Sequence, residues 1–186
     1  MIKAGVDEAG RGPLAGPVVS AAVILNPQSY LIGLNDSKKL SADKRQSLSN
    51  EIKIHSLSWS IGIATSQEID DINILRASLL SMERAIKNLS EVPEKVIVDG
   101  QYTPEIAVPC EAIIRGDSIE ESIMAASILA KVERDKIMLE LDKKYPNYGF
   151  GQHKGYPTKL HLEALRDFGP CSEHRQSFKP VKNYLT

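Results

Sequence analysis

Short apolar runs rich in β-branched residues alternate along this chain with longer segments of helical periodicity. The runs at 2–6, 18–25 and 58–64 come first, and they predict strands that begin the sheet in antiparallel pairs. The run at 95–99 is apolar on both faces, as a buried parallel strand is, and helical segments on either side predict that it is central. With a further strand at 111–115, this order predicts an α/β fold.

Four helical segments are predicted, at 41–54, 65–89, 119–144 and 158–168. The second is expected to be one long amphipathic helix, which Thr65 and Glu68 open with the spacing of a capping box. Ser118 and Glu121 have the same spacing at the start of the third helix. Gly and Pro residues end the last two helices.

Acidic residues stand at the carboxyl ends of the predicted strands, where α/β sheets present their ligand sites. Asp7 and Glu8 follow the first strand, Asp99 closes the fourth and Asp117 follows the fifth. Neighbouring carboxylates repel each other unless a cation lies between them, and ligand sets of oxygen alone favour Mg²⁺ or Mn²⁺. Four carboxylates at one edge would suit phosphodiester hydrolysis by two metal ions. For each acid alone, a turn or cap role is the alternative, and it is strongest for Asp117.

Asp7 and Glu8 are adjacent in sequence, so a regular strand would point their side chains to opposite faces. They can share one site only if the strand ends or bulges at this point, which Gly10 would permit. The following turn, with its glycines and Arg11, indicates an anion at the same place.

The charge is unevenly distributed. Residues 1–130 contain 17 acidic residues against 12 Lys and Arg, and residues 131–186 contain 7 against 11, within a net charge of −1. A basic C-terminal part weakly indicates a polyanionic partner, and a solvated helix surface explains it equally well. Cys110 and Cys171 have no metal-site spacing, which favours a reducing cytoplasm. The apolar run at 18–25 is too short to cross a bilayer, so no membrane association is expected.

Several blocks of the chain, in the same order, resemble bacterial ribonuclease HII. They lie at 7–13 (DEAGRGP), 36–40 (DSKKL), 98–100 (VDG), 116–117 (GD), 125–135 (AASILAKVERD) and 148–158 (YGFGQHKGYPT). The resemblance extends from residue 3 to about Val181. It implies a ribonuclease H-like fold, with a mixed five-stranded sheet flanked by helices. The implied organisation is a catalytic domain at 1–144 and a small helical extension at 145–186 that packs on it and contributes to substrate binding.

The activity implied by this resemblance is endonucleolytic. The enzyme would hydrolyse the RNA strand of RNA/DNA hybrids and would incise on the 5′ side of single ribonucleotides in duplex DNA, leaving 5′-phosphate and 3′-hydroxyl ends. Two Mg²⁺ or Mn²⁺ ions would serve as cofactors. The partners would be RNA/DNA hybrids and duplex DNA that contains ribonucleotides, and a cytoplasmic monomer is the simplest expectation.

The resemblance also implies roles for individual residues. The metal ligands and catalytic residues would be Asp7, Glu8, Asp99 and Asp117. The turn Gly10-Arg11-Gly12 would present backbone groups to the ribose 2′-hydroxyl, the group that separates RNA from DNA. Tyr156 would stack on the sugar that follows the ribonucleotide, and its alternative is a packed surface tyrosine. Phosphates would be held by Lys38, Lys39, Lys131 and Lys154, each of which could otherwise be a solvated surface lysine.

Three histidines in the C-terminal part lack the spacing of metal ligands, so a structural or phosphate-side role is expected for His153, His161 and His174. A dinucleotide-binding oxidoreductase is a weak alternative, because the glycines near the N-terminus have the wrong spacing and precede a strand. A non-catalytic nucleic-acid-binding module is the stronger alternative. It leaves the acids unexplained, since carboxylates repel phosphates when no metal is present.

Overall fold

A mixed sheet of five strands forms the centre of the protein in the computed structural model, which describes residues 1–185. The strands are β1 (Lys3–Ala9), β2 (Val18–Leu25), β3 (Ser56–Ala64), β4 (Lys95–Asp99) and β5 (Cys110–Ile113), in the spatial order β3-β2-β1-β4-β5. The first three pair antiparallel, whereas β4 runs parallel to both β1 and β5. The predicted mixed sheet is confirmed, but its centre is β1. Both β2 and β4 pair with β1, so β4 is displaced towards the edge.

Seven α-helices accompany the sheet in the described part of the chain: α1 (Ala42–His55), α2 (Ser66–Ile72), α3 (Ile74–Lys87), α4 (Glu121–Lys144), α5 (Phe150–His153), α6 (Lys159–Phe168) and α7 (Lys179–Lys182). Short 3₁₀ turns lie at Ser37–Lys39 and Gly116–Ser118. The capping box of Thr65 and Glu68 is present at the start of α2. Here the hydroxyl oxygen of Thr65 accepts the Glu68 N–H, and the Glu68 carboxylate accepts the Thr65 N–H.

Two of the predicted helix features were wrong. The helix expected over 65–89 is divided at Asn73, whose φ of 71° ends α2 and whose side chain accepts the Arg76 N–H to begin α3. This positive φ cannot continue a helix, and the asparagine side chain is a good N-cap. At the other site, Ser118 caps no helix because it belongs to the 3₁₀ turn, and α4 begins only at Glu121.

Helices cover both faces of the sheet. Along β2, Ala22 and Ile24 face the cluster that contains residues of α3, and Ala21 and Val23 face the cluster that contains residues of α1 and α4. Helix α4 lies very close to β1, because a Cβ atom on Gly5 would be 2.3 Å from the carbonyl carbon of Ser122. This close approach brings the polar residues of α4 to the end of β1 that carries the acids.

The segment after α4 packs against the other half of that helix. Met138, Tyr148, Phe150 and Ala164 form a buried cluster with Ala15, which lies in the loop that joins β1 to β2 (residues 10–17, the β1–β2 loop). Backbone hydrogen bonds from this loop reach the segment as well, since the Leu14 N–H donates to Gly155 O at 2.8 Å. Thr186, the last residue of the predicted extension, lies outside the described residues. Within residues 1–185, no helix is both long and apolar enough to span a membrane.

Candidate active site

Three of the predicted acids converge at the carboxyl end of β4. Carboxylate oxygens of Asp7, Asp99 and Asp117 lie within 4.8 Å of one another. Asp7 and Asp99 are neighbours because β1 and β4 are parallel, with Val6 opposite Val98. The 3₁₀ turn brings in Asp117, whose N–H donates to Asp99 Oδ1 at 3.3 Å.

Glu8 stands beside this group but outside it. Strand β1 pairs regularly through both acids and ends at Ala9, one residue after Glu8, and both acids line the same cleft without a bulge. The Glu8 N–H donates to Asp7 Oδ1 at 2.8 Å, and its carboxylate Oε1 is 3.8 Å from the Arg11 guanidinium. Its other oxygen, Oε2, is buried and has no hydrogen-bond partner. A buried carboxylate oxygen without a donor is an acceptor that an incoming ligand can use.

Negative charge accumulates at this edge of the sheet. Burial raises the pKa of Asp7 well above its usual range, and the carboxylates of Glu8 and Asp99 raise it further. Burial also raises the pKa of Glu8, against the opposing effect of Arg11, and it raises the pKa of Asp99. Raised values of this kind mean that the ionised acids lack sufficient positive charge around them.

The nearest lysine supplies only part of the missing charge. Lys38 Nζ lies 3.7 Å from Asp117 Oδ2, and its side chain is largely exposed. Burial works against its charged form, but the attraction of Asp117, Asp36 and Asp7 raises the pKa of Lys38. Ligands of oxygen alone, one of them buried without a partner, fit a hard divalent cation such as Mg²⁺ or Mn²⁺.

A cleft of about 350 Å³ opens beside the acids. Its lining includes most of the predicted substrate residues, namely Gly10, Arg11, Gly12, Lys38, Lys131 and Tyr156. Two predicted lysines lie outside the lining. Lys39 is exposed on the 3₁₀ turn, and the Lys154 ammonium donates to the Gly151 carbonyl. Lys131 is paired with Asp135, at 2.9 Å.

The turn after β1 and the aromatic ring of Tyr156 face each other in this cleft. A Cβ atom on Gly12 would lie 3.5 Å from Tyr156 Cε1, which is ordinary van der Waals contact. Gly10 has a φ of 95° and no room for a side chain, because a Cβ atom there would be 2.0 Å from Arg134 Nε. Glycine is required at this position by both its conformation and its surroundings.

Sequence reasoning assigned no role to three further polar residues of the cleft, Ser37, Ser127 and Arg134. The hydroxyl groups of Ser37 and Ser127 share a buried hydrogen bond of 2.7 Å, which ties the 3₁₀ turn to α4. Steps of four and three residues along α4 place Ser127, Lys131 and Arg134 on one helix face. Polar residues at these spacings on a largely buried face of the helix were the signal that could have identified them.

The three C-terminal histidines lie below Tyr156 as a buried cluster. The Cys171 N–H donates to His174 Nδ1 at 2.9 Å, so the proton of neutral His174 is on Nε2, which lies 2.9 Å from His161 Nε2. His161 therefore carries its proton on Nδ1 and donates it to Tyr156 O at 2.9 Å. Burial lowers the pKa of both His161 and His174 to about 4. These histidines are neutral and support the backbone of Tyr156.

Similarity to known proteins identifies the family. Residues 4–181 match the family model described as Ribonuclease HII. The chain belongs to the ribonuclease HII family. This ribonuclease HII family member is a ribonuclease H, a metal-dependent endonuclease that acts on RNA/DNA hybrids, so the alternative of a non-catalytic binding module is set aside.

Solved structures agree with this assignment. Ribonuclease H2 from Pyrococcus horikoshii OT3 is 27% identical, with a TM-score of 0.82 over 99% of this chain and 97% of that one. The ribonuclease HII in the PCNA complex from Archaeoglobus fulgidus is also 27% identical, with a TM-score of 0.80 over 100% of this chain and 97% of that one. Bst-RNase HIII in complex with Mn²⁺, at 16% identity, has a TM-score of 0.74 over 99% of this chain and 69% of that one, and shares the fold. The predicted ribonuclease H-like fold is confirmed.

Proposed function

We propose that this ribonuclease HII family member incises duplex DNA on the 5′ side of a single embedded ribonucleotide, in addition to cutting the RNA strand of hybrids. The products carry 5′-phosphate and 3′-hydroxyl ends. The observation that carries this proposal is that Asp7, Glu8 and Asp99 line one cleft together with the Gly10-Arg11-Gly12 turn and Tyr156. The cleft therefore combines a place for cations with groups suited to reading a sugar.

In this proposal Asp7, Glu8, Asp99 and Asp117 hold two Mg²⁺ or Mn²⁺ ions. When bound, these ions supply an activated water and stabilise the leaving oxygen. The chain contributes the ligands: three acids with oxygens within 4.8 Å of one another, and a Glu8 carboxylate whose buried Oε2 lacks a donor. The scissile phosphate would therefore be bound at the carboxyl end of β4.

In this proposal, the Gly10-Arg11-Gly12 turn beside the acids recognises the ribose. Arg11 and Gly12 are exposed in the cleft, and glycine allows a sugar to approach the backbone closely. Tyr156, 41% exposed and in contact with Gly12, offers its ring to the next sugar, where a deoxyribose fits best. This arrangement would favour a ribonucleotide that is followed by DNA.

The lysines are assigned to the phosphate backbone. Lys38 and Lys131 line the cleft, Lys39 belongs to the same 3₁₀ turn as Lys38, and Lys154 is two residues before Tyr156. Each would contribute a modest, salt-dependent part of the binding free energy.

The proposed roles of these residues divide the chain into two parts. Residues 1–144 act as the catalytic domain, and residues 145–186 as a helical extension that brings Tyr156 to the substrate. The protein acts as a monomer in the cytoplasm, where its two free cysteines stay reduced, and it serves the removal of ribonucleotides during DNA replication and repair.

The acids are tested with a duplex that carries one ribonucleotide, incubated with Mg²⁺ or Mn²⁺. The wild type should cut on the 5′ side, and Asp7→Asn and Asp99→Asn should each lose at least about 10³-fold in rate, since a lost metal ligand costs several kcal/mol of transition-state stabilisation. An all-DNA duplex of the same sequence is the substrate control. Cutting by both variants at the wild-type rate, or cutting that persists in EDTA, would contradict the assignment.

Tyr156 is tested separately with Tyr156→Ala. We expect cleavage at a lone ribonucleotide to fall about tenfold or more, the value of one lost stacking contact, while binding to plain DNA changes little. Tyr30→Ala is the matched control, because Tyr30 is 86% exposed and lies outside the cleft lining. Equal losses in cleavage and in plain-DNA binding would remove the proposed role of Tyr156 in reading the sugar.

A further inference from the structure

Two arginines are buried directly behind the β1–β2 loop. Arg134 is 1% exposed and Arg175 is fully buried, and neither forms an ion pair with a carboxylate among residues 1–185. Burial lowers the pKa of Arg134 to about 10 and that of Arg175 to about 9. A buried charge without a counter-charge is expensive, so its surroundings must compensate it with hydrogen bonds.

Backbone carbonyls provide that compensation. Arg175 donates to five carbonyl oxygens of the β1–β2 loop, those of Gly10 (2.6 Å), Pro13 (2.8 Å), Arg11 (3.0 Å), Gly16 (3.0 Å) and Pro17 (3.2 Å). Arg134 donates to Lys154 O (2.8 Å), Pro17 O (2.9 Å) and Ala15 O (3.0 Å). The planar guanidinium suits this task because it offers five donors in a fixed geometry.

The direction of these carbonyls decides the direction of the neighbouring N–H groups. In a trans peptide the carbonyl of one residue and the N–H of the next point to opposite sides, and the protein has no cis peptide bond among residues 1–185. Because the carbonyls of Gly10 and Arg11 point inward to Arg175, the N–H groups of Arg11 and Gly12 point away from it. Neither N–H has a protein acceptor within the described chain. Both are therefore free to donate to a substrate in the cleft.

Arg134 connects this loop to the tyrosine. Its Nη1 donates to Lys154 O, two residues before Tyr156, while its other nitrogens hold the far end of the β1–β2 loop. Its side chain also fills the space that a Cβ atom on Gly10 would need. One side chain of α4 thus fixes the separation between the turn and the ring of Tyr156.

We propose that Arg134 and Arg175 are positioning residues for ribose recognition, which hold the carbonyls of the β1–β2 loop inward so that its free N–H groups face the 2′-hydroxyl. The two positive charges also polarise the peptide groups that they bind, which strengthens the outward N–H donors. This inference rests on the proposed function, since it concerns how the same cleft selects a ribonucleotide.

The test uses Arg175→Lys and Arg134→Lys in the full chain, with Arg84→Lys as the matched control. Arg84 is a partly exposed arginine that binds Glu68 and Ile63 O, away from the cleft. A lysine has three donors on one nitrogen and cannot bridge the same carbonyls. For Arg175→Lys and Arg134→Lys we expect kcat/KM at a single ribonucleotide to fall at least about tenfold. This is the effect of losing one well-placed hydrogen bond. Mn²⁺ affinity and binding to plain DNA should stay within about twofold, about 0.4 kcal/mol.

Chemical rescue separates a positioning role from a structural one. Arg175→Ala leaves a space the size of a guanidinium, so added guanidinium at low millimolar concentration should restore cleavage severalfold, and methylammonium at equal concentration should not. If Arg175→Ala does not fold, the two lysine variants carry the test.

The proposal would be overturned if folded variants cleaved like the wild type, or if they lost Mn²⁺ affinity and cleavage in equal proportion. Failure of the wild type to incise at the ribonucleotide in the same assay would instead overturn the proposed function.

Discussion

One cluster of titratable side chains stands at the cleft and another supports the backbone of Tyr156, and the two differ in how their polar atoms are paired. In the acid cluster, the oxygens of Asp7, Asp99 and Asp117 crowd together and Glu8 has a buried oxygen without a partner. In the histidine cluster, every ring nitrogen of His153, His161 and His174 has a hydrogen-bond partner. Asp7 and Asp117 are buried like the three histidines, and Glu8 and Asp99 are half-buried, so burial alone does not separate the two clusters.

This difference in hydrogen-bond pairing indicates a different role for each cluster. A paired cluster stabilises the fold, since each donor meets an acceptor and no charge is buried. An underpaired acid cluster reduces the stability of the protein alone and leaves acceptors for a cation. The expectation of a structural or phosphate-side role for the histidines therefore resolves to the structural one, in support of Tyr156.

Among single substitutions at neutral pH, the largest loss of stability is expected from disrupting the histidine cluster. His174→Phe keeps an aromatic ring beside Tyr148, at a present ring distance of 4.9 Å, but leaves the Cys171 N–H and His161 Nε2 without partners. Two unpaired buried groups should lower the free energy of unfolding by about 3 kcal/mol, measured by urea denaturation. His55→Phe, on half-exposed His55 of α1, is the control. A loss no larger than that of the control would mean that the cluster contributes little to stability.

Low pH should destabilise the protein through protonation of the same histidine cluster. The pKa of His161 and His174 is about 4 in the folded protein and about 6.5 when unfolded, so the unfolded chain binds more protons between these values. Stability should therefore fall as the pH decreases from 6.5 towards 4, by about 2 kcal/mol per histidine at pH 5, and should lose this dependence above pH 6.5.

The titration of these two side chains can be isolated with a double variant, His161→Leu/His174→Leu, whose unfolding free energy should vary less steeply with pH. Imidazole ¹⁵N chemical shifts give an independent measurement, and at pH 6 they should report a neutral His174 protonated on Nε2 and a neutral His161 protonated on Nδ1. Imidazolium shifts at that pH would contradict the neutral cluster.

The smallest expected change in the free energy of unfolding is an increase. Asp7→Asn removes a buried charge next to Glu8 and Asp99 and keeps an oxygen that can accept the Glu8 N–H. In EDTA this variant should be more stable than the wild type by about 1 kcal/mol, as is common when a functional charge is removed. Thermal unfolding with and without Mg²⁺ checks this, because the ion should stabilise the wild type more than the variant. A variant less stable than the wild type in EDTA would show that Asp7 is needed for folding.

The strands and the meeting of Asp7 with Asp99 were predictable, because strand periodicity and the rule for carboxyl ends of strands are local signals. The break at Asn73 was not, since the apolar periodicity continues across it and only the packing of α2 and α3 selects the two shorter helices. Ser118 shows the same limit, because a capping-box spacing does not reveal that a 3₁₀ turn competes for the residue. The partners of Arg175 are 158 to 165 residues away in sequence, beyond any local pattern.

That sequence separation has a consequence for the order in which the protein becomes competent. During synthesis, the four acids and the β1–β2 loop are made before Arg175, which donates five hydrogen bonds to carbonyls of that loop. A chain cut short before residue 175 keeps all four acids but lacks those donors. If Arg175 positions the loop as proposed, selectivity for a ribose would be the last property of the cleft to be encoded as the chain grows, and the first to be lost when its C-terminal segment is removed.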